Sequence, residues 1–303
     1  MNKILIICGP TATGKTSLAI VLAKKFNGEI ISADSRQVYV GMDIGTGKEW
    51  GDATIWGYDL VSPKKEFSVA HFIKFARKKI EDIEIRKKLP IIVGGTGLYI
   101  KALVDGIPTI EVPINNSLRK NLSTKGTDEL YEKLSQMDSV KAASLNSSDR
   151  KNPRRLIRGI EIANYKLHHG DFSEKETTTQ SEILFIGLTT DKNVMEKKIE
   201  TRVDERVKAG IKNEITTLLK NGVDWGDQSM ASIGYRQWRD FFEGEVEESV
   251  VIEEWKKDER KYVKRQTTWF KKDGRIVWFD VSDNNYTKRV EKLVEKWYSS
   301  GNN

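Results

Sequence analysis

The sequence predicts an α/β protein in which a parallel β-sheet is flanked by helices and interrupted by a helical insertion domain. Two observations predict the sheet. Short apolar runs occur at residues 3–8, 29–33, 90–95 and 183–188, and amphipathic helical patterns separate the first of them. This β-α-β-α-β rhythm implies parallel strands with helices on both faces. The third observation is a polar stretch at residues 113–148, which has helical periodicity and no convincing strand.

The helices are predicted from their amphipathic patterns. Those between the apolar strands run from Ser17 to about Phe26 and from about Ser68 to Lys88. Long charged helices follow the last strand, at about residues 193–209, 212–221 and 252–271.

The changes in composition predict the domain organisation. We expect a core made of residues 1–112 and 149–303, with a helical C-terminal part, and a helical insertion at residues 113–148. The polar segment 175–180 and the tail after Ser299 are expected to be disordered.

A phosphate-binding loop is predicted between the first strand and the first helix. Residues 9–16 are Gly9, Pro10, Thr11, Ala12, Thr13, Gly14, Lys15 and Thr16, which match the G-x-x-x-x-G-K-[ST] pattern of nucleotide-binding and ATP-binding proteins. Glycines bring backbone N–H groups onto phosphate oxygens, and the helix N-terminus adds partial positive charge. Lys15 would reach a terminal phosphate and Thr16 would hold Mg²⁺. The alternative is a simple glycine turn before a helix, but both flanks favour a P-loop NTPase-like core that binds a diphosphate or triphosphate.

Composition bounds the class of protein. The 303 residues carry a formal net charge of +7, which favours a polyanionic partner, although excess lysine also serves solubility. Cys8 is the single cysteine, so an intramolecular disulfide is excluded and a reducing cytoplasm fits. The N-terminal apolar run is much shorter than the ~18 residues of a membrane span, so we expect no membrane partner.

Polar and glycine residues follow the next two strands, at the sheet edge where ligands bind in such folds. Asp34 could coordinate Mg²⁺ or act as a general base, and its alternative role is a helix N-cap. At residues 94–97, Gly-Gly-Thr-Gly occupies the place where a P-loop kinase usually carries a metal-organising aspartate. This departure argues against a plain kinase.

Two basic clusters and one arginine point to anionic ligands. Residues 152–158 place arginines on one helix face, and residues 261–270 interleave cations with aromatic side chains. Such mixtures suit phosphate contact and base stacking, while a solvated helix face is the alternative for each cluster. Arg202 could face a diphosphate or form an intrahelical ion pair.

Eight segments in the same order resemble the tRNA dimethylallyltransferase (tRNA isopentenyltransferase) family and together span nearly the whole chain. They are GPTATGKT at 9–16, DSRQVY at 34–39, MDIGTGK at 42–48, GGTGLYI at 94–100, NPRRLIRGIEI at 152–162, RVDERVKAGI at 202–211, IGYRQ at 233–237 and KRQTTWF at 264–270.

The resemblance implies an activity and its partners. The family transfers a dimethylallyl group from dimethylallyl diphosphate to the N6 amine of the adenosine adjacent to the anticodon on its 3′ side (position 37) in tRNA, using Mg²⁺. The implied partner is the anticodon stem-loop of tRNA, and a monomer suffices to enclose it.

The resemblance also implies roles for single residues. Asp34 would be the general base, residues 9–16 with Lys15 and Arg202 would hold the diphosphate, and Thr16 would be the metal ligand. The residues implied to contact tRNA are Asp34, Ser35, Arg36, Gln37, Thr96, Arg119, Arg154, Arg155, Arg158, Ser232, Ile233, Gly234, Tyr235, Arg236, Lys264, Arg265, Gln266, Thr267, Thr268, Trp269, Phe270 and Lys271.

This chain departs from the family pattern in places outside the catalytic segments. Residues 56–61 replace a histidine-rich stretch, Arg206 stands where methionine is common, and Gly159 replaces an alanine. Three other functions stay open: an adenylate isopentenyltransferase that acts on free nucleotides, a small-molecule P-loop kinase, and an NTP-gated RNA-binding protein.

Overall fold

The computed structural model describes residues 2–170 and 181–300, which belong to two compact units. One unit contains Met1–Val104 and Thr179–Asn303, and the other is Asp105–Thr178. The segment 175–180, predicted to be disordered, lies outside the described residues, and so does the predicted disordered tail after Ser299 except for Ser300.

The first unit is built on a parallel sheet, as predicted. Its strands in the described residues are β1 (Lys3–Cys8), β2 (Gly28–Ser32), β3 (Ile55–Trp56), β4 (Leu89–Gly94), β5 (Glu182–Thr189) and β6 (Ile276–Asp280). They lie in the order β3-β2-β4-β1-β5-β6, and every pairing is parallel. The sequence did not predict β3 and β6, because β3 has only two residues, both half-buried, and β6 is a short edge strand that leaves Val277 and Asp280 exposed.

Helices surround the sheet and extend the first unit beyond it. They are α1 (Lys15–Lys25), α2 (Val69–Ile85), α3 (Gly97–Val104), α9 (Lys192–Lys208), α10 (Ile211–Lys220), α11 (Arg239–Phe242), α12 (Glu248–Phe270) and α13 (Tyr286–Ser299). The second unit contains α4 (Asn116–Leu122), α5 (Thr127–Met137), α6 (Ser139–Ala143), α7 (Ser147–Arg150) and α8 (Pro153–His169). Among the described residues, no helix combines the length and apolar composition needed to cross a membrane.

Alternation along the strands creates the core. On β1, Leu5 and Ile7 pack with Leu22 of α1 and Val290 of α13, while the intervening Ile6 is buried on the other face. A separate cluster around Trp238, Trp255 and Tyr235 joins α10 and α12 to the loop at residues 38–44. This second cluster fixes the C-terminal helices next to the end of β2, where Asp34 lies.

The second unit is wider than the insertion predicted at residues 113–148, and its boundaries correct that prediction. Leu156 and Ile160 of α8 share a buried cluster with Leu130 and Leu134 of α5. An added Cβ at Gly159 would lie 3.0 Å from Leu134, so the glycine allows this close approach. The basic segment at residues 152–162 therefore belongs to the second unit, because its apolar face completes that unit's core.

Candidate active site

The phosphate loop leaves β1 and folds back on itself before α1 begins. Three of its residues have positive φ, namely Gly9 with 132°, Ala12 with 62° and Gly14 with 75°. The Thr13 hydroxyl donates a hydrogen bond to the Pro10 carbonyl at 2.9 Å. Among the described residues, no side chain caps the N-terminus of α1, and its first turn holds no acid. The free N–H groups of this turn suit an anion.

Two cations flank this loop. The Lys15 Nζ donates to the Pro10 carbonyl at 2.6 Å, and an Arg202 nitrogen of α9 donates to the Thr11 Oγ1 at 2.8 Å. Removal from water, followed by the nearby Arg202 charge, lowers the pKa of Lys15 to about 8. An anion bound between the two cations would relieve this repulsion and raise that pKa again.

The loop and both cations border a small cavity of about 70 Å³, here called the phosphate-loop cavity. Thr16, Glu49, Asp34 and Tyr262 also line it. The residues of this cavity come from α1, α9, α12 and the ends of β2 and β4.

Asp34 follows β2 by two residues and is half-buried. Its Oδ1 accepts a hydrogen bond from the Arg36 N–H at 2.8 Å, which fixes the carboxylate in a local turn. Ala33, immediately before it, is bonded through its N–H to the Val93 carbonyl of β4. The sheet edge therefore holds the carboxylate beside the phosphate loop.

A second cavity of about 220 Å³, here called the arginine cavity, meets the first at Asp34. Arg36, Arg236 and Arg265 line it, together with Ile233. The two cavities share Thr11, Asp34, Thr46 and Tyr262. Because the two cavities adjoin at a carboxylate, they suit two substrates that react with each other at this point.

Arg206 forms a buried ion pair in the lining of the arginine cavity. Its Nη1 lies 3.3 Å from the Glu259 Oε1, and both side chains are buried. Burial, with Arg202 as the second cause, lowers the pKa of Arg206 to about 10. Glu259 also accepts from the Trp255 indole at 3.4 Å. This departure from the family pattern is thus accommodated by a carboxylate and an aromatic ring from α12.

Several residues implied to contact tRNA lie in the interior of the first unit. They are Gln37, Ser232, Tyr235, Gln266 and Phe270. Gln37 accepts from the Ser32 hydroxyl at 2.7 Å, and the Tyr235 hydroxyl donates to Glu214 at 2.5 Å. The polar groups of Gln37, Ser232, Tyr235 and Gln266 are hydrogen-bonded within the protein, and Gln37 and Gln266 also line the phosphate-loop cavity.

The other implied contacts of the first unit lie nearer the surface. Arg36 donates to the Gln228 carbonyl at 2.9 Å, and Arg236 is paired with Asp258 at 2.6 Å. The Thr96 Oγ1 accepts from the Ser35 N–H at 3.1 Å, whereas Gly234 is buried and donates through its N–H to the Gln237 side chain at 2.9 Å. The residues of α12 and its end that face solvent are Lys264, Arg265, Thr268, Trp269 and Lys271, and Thr267 is half-buried.

The four implied arginines of the second unit fall into two groups. Arg119 and Arg158 surround the buried carboxylate of Glu161, with Arg119 bonded to both its oxygens at 2.7 Å. Arg154 and Arg155 are exposed on the first turn of α8, and Arg155 pairs with Asp149. The first pair therefore stabilises the unit, while the second pair faces solvent.

Four residues that line the phosphate-loop cavity were given no individual role from the sequence, although all except Glu49 lie in segments singled out there: Thr46, Glu49, Tyr58 and Tyr262. Burial raises the pKa of Tyr58, whose ring packs edge-on against the exposed Trp50 at 5.3 Å. Tyr262 lies four residues before Gln266 on α12, so helical spacing from that residue was the available signal. The others sit in loops, where sequence gives no such spacing.

Comparison with known proteins identifies related sequences and structures. A family model described as IPP transferase matches residues 37–273, and one described as Isopentenyl transferase matches residues 2–53. The tRNA dimethylallyltransferase of Geobacillus thermodenitrificans is 39% identical over 305 residues, covering 96% of this chain and 95% of the relative. That of Caldanaerobacter subterraneus is 39% identical over 306 residues, covering 97% and 95%.

Two solved structures are similar over nearly all of this chain. The full-length tRNA isopentenylpyrophosphate transferase from Bacillus halodurans has a TM-score of 0.72 and 35% identity, covering 97% of this chain and 94% of its own. A eukaryotic dimethylallyltransferase acting on tRNA has a TM-score of 0.84 and 25% identity, covering 99% and 80%. The P-loop NTPase-like α/β fold predicted from the sequence is thereby confirmed.

Proposed function

This chain belongs to the IPP transferase family, and on that premise we propose that it transfers a dimethylallyl group from dimethylallyl diphosphate to the N6 amine of the adenosine 3′-adjacent to the anticodon in tRNA. One observation carries the proposal: Asp34 stands where the phosphate-loop cavity and the arginine cavity meet. A prenyl diphosphate fits the first cavity by charge, and an adenosine of an RNA loop enters through the second.

The phosphate-loop cavity supports departure of diphosphate. Negative charge develops on the leaving group, and preorganised donors that meet it lower the barrier. Lys15, Arg202 and the free N–H groups at the start of α1 supply those donors. The Thr16 hydroxyl and the Glu49 carboxylate line the same cavity, and such hard oxygens fit Mg²⁺, which commonly keeps few protein ligands beside phosphate oxygens. Mg²⁺, when bound, neutralises charge on the diphosphate.

Asp34 supports activation of the amine. The N6 lone pair is delocalised into the purine ring, so the amine is a poor nucleophile without a base in hydrogen-bond reach. As the bond from N6 to the allylic C1 forms, the bond from C1 to the diphosphate oxygen breaks and its electron pair leaves with the diphosphate. The N6 proton passes to the Asp34 carboxylate.

The arginine cavity supports an RNA substrate over a free nucleotide. Arg36, Arg236 and Arg265 line it, and Lys264 and Trp269 are exposed on the same helix as Arg265. These groups suit phosphates and stacked bases of a single-stranded loop. Extruding the target base costs a few kcal/mol, least in an unpaired loop, and contacts with its neighbours offset that cost. One chain supplies both cavities, so the protein acts as a monomer, and a tRNA substrate implies a cytoplasmic location.

Incorporation of label from dimethylallyl diphosphate tests the proposal. Purified protein with Mg²⁺ should label tRNA and an isolated anticodon stem-loop, while a stem-loop with the adenosines flanking the target replaced should be a poor substrate. AMP and ATP should stay unlabelled. Prenylation of AMP at a rate comparable with the stem-loop would instead identify an adenylate isopentenyltransferase. Phosphoryl transfer from ATP without prenylation would identify a kinase, and ATP-dependent RNA binding alone an NTP-gated RNA-binding protein.

A further inference from the structure

Gln266 joins α12 to two loops at the sheet edge. Its Oε1 accepts a hydrogen bond from the Thr11 N–H at 2.9 Å, and its Nε2 donates to the Gly95 carbonyl at 3.0 Å. The side chain is 5% exposed, although it lies between the exposed Arg265 and the half-buried Thr267. The amide thus bridges the phosphate loop after β1 and the glycine loop after β4.

The Gln266 amide and the Arg202 guanidinium both bind Thr11. Thr11 is fixed through its N–H by Gln266 and through its hydroxyl by Arg202 at 2.8 Å. The next residue, Ala12, has a left-handed conformation that a non-glycine residue adopts only when its surroundings impose it. Fixing Thr11 from α12 and α9 therefore stabilises the loop conformation that presents N–H groups to an anion.

The chemistry of the two partners requires glutamine at this position. Thr11 offers a donor and Gly95 offers an acceptor, and a single amide satisfies both in one orientation only. Glutamate lacks the donor for the Gly95 carbonyl, and asparagine is one methylene shorter. A Cβ added at Gly95 would lie 2.2 Å from the Gln266 Nε2, so the absence of a side chain there makes room for the amide.

We propose that Gln266 is a positioning residue of the diphosphate site: it sets Thr11, and through it the phosphate loop and Arg202, in the geometry that binds a prenyl diphosphate. This inference rests on the proposed function. It replaces the contact with tRNA that the family resemblance implies for Gln266, because the side chain is turned away from solvent and both ends of its amide are occupied within the protein.

The test compares two affinities of Gln266→Ala. Calorimetry would measure binding of dimethylallyl thiolodiphosphate, a non-reacting analogue, and filter binding would measure tRNA. We expect the dissociation constant of the analogue to rise roughly tenfold, the loss expected of one buried hydrogen bond, while that of tRNA changes less than about twofold. Thr217→Ala is the matched control, because this exposed hydroxyl of α10 lies outside both cavities and donates to the Asn213 carbonyl of its own helix at 2.8 Å.

Gly95→Ala provides a second variant that keeps Gln266. Its methyl group should displace the Gln266 amide and weaken binding of the analogue. In the Gln266→Ala background the space is free, so the same methyl group should lower the affinity for the analogue little further. The proposal would be overturned if Gln266→Ala bound tRNA more weakly but bound the analogue normally. It would also be overturned if the double variant raised the dissociation constant of the analogue by the product of the two single-variant factors. A wild-type protein that binds no prenyl diphosphate at all would instead refute the proposed function.

Discussion

Binding of the prenyl diphosphate should weaken as the pH rises above about 8, because Lys15 then loses its proton. Burial and the neighbouring Arg202 charge lower the pKa of Lys15 to about 8 in the free protein. A bound diphosphate stabilises the ammonium and raises that pKa, so the complex needs a proton that the free protein lacks at higher pH. The affinity for the prenyl diphosphate is therefore highest below about pH 8 and decreases as the pH rises through that value.

The size of the effect follows from the fraction of free protein that is protonated. With a pKa of about 8, this fraction falls from nearly all at about pH 7 to roughly one tenth at about pH 9, so the dissociation constant should rise about tenfold. Burial raises the pKa of Cys8 to about 12 and moves that of Tyr58 upward from its ordinary value of 10, so neither group titrates in this interval.

Calorimetric titration with dimethylallyl thiolodiphosphate at fixed Mg²⁺ provides the assay, since the diphosphate of this analogue finishes its own ionisation well below pH 8. Lys15→Met is the control, because it fills similar volume without a titrating group. It should bind more weakly at pH 7 and show almost no dependence on pH. A wild-type affinity that stays constant from about pH 7 to about pH 9, or an equal slope in Lys15→Met, would refute the reasoning.

Three further predictions address the base, the RNA surface and the second unit. Asp34→Asn should keep tRNA affinity but reduce turnover by about 10² to 10⁴, the scale of lost general-base catalysis, in a single-turnover assay. Lys264→Ala with Arg265→Ala should weaken tRNA binding and flatten its dependence on log salt by about one unit per lost phosphate contact, measured by filter binding. Glu161→Gln should destabilise the second unit by about 3 kcal/mol, measured by denaturant unfolding, because it leaves two arginines around a buried neutral group.

Each of these predictions has a control and a contradicting result. Unchanged turnover of Asp34→Asn would remove this carboxylate from the mechanism. For the RNA surface, Lys292→Ala with Lys296→Ala removes the same charge from exposed positions of α13 and should leave the salt slope unchanged. If both double variants lost the same tRNA affinity and salt dependence, the effect would be due to net charge alone.

For the second unit, the exposed Glu132→Gln should cost almost nothing. The arginines and the Asn115 N–H hold the pKa of Glu161 below its ordinary value of 4.5 against the opposing effect of burial, so its contribution is present at neutral pH and lost as the pH falls below that value. If Glu161→Gln lowered the free energy of unfolding in acid by as much as at neutral pH, this account would be contradicted.

Local patterns in the sequence determined the strands, the long helices and the phosphate loop. β1 was predicted with the bounds it has in the structure, and α2, α9 and α10 were predicted to within a few residues. Burial of one face of an element gives its apolar residues a regular spacing, which can be recognised from neighbouring residues alone. Asp34 and Arg202 could be selected because each belongs to a short motif. The edge strands β3 and β6 lacked that signal, since they bury too few residues to make a pattern.

Only the tertiary structure decided which of these residues meet, and which side chains face solvent. Arg202 lies 191 residues from Thr11 in the chain and Gln266 lies 255 residues from it, and no local period reports such contacts. The motif KRQTTWF at residues 264–270 reads as one basic and aromatic surface, yet the helix turns Gln266 and Phe270 inward and leaves Lys264 and Arg265 outside. A helix places successive residues about 100° apart, so a contiguous motif is divided between the interior and the surface by whatever packs against that helix.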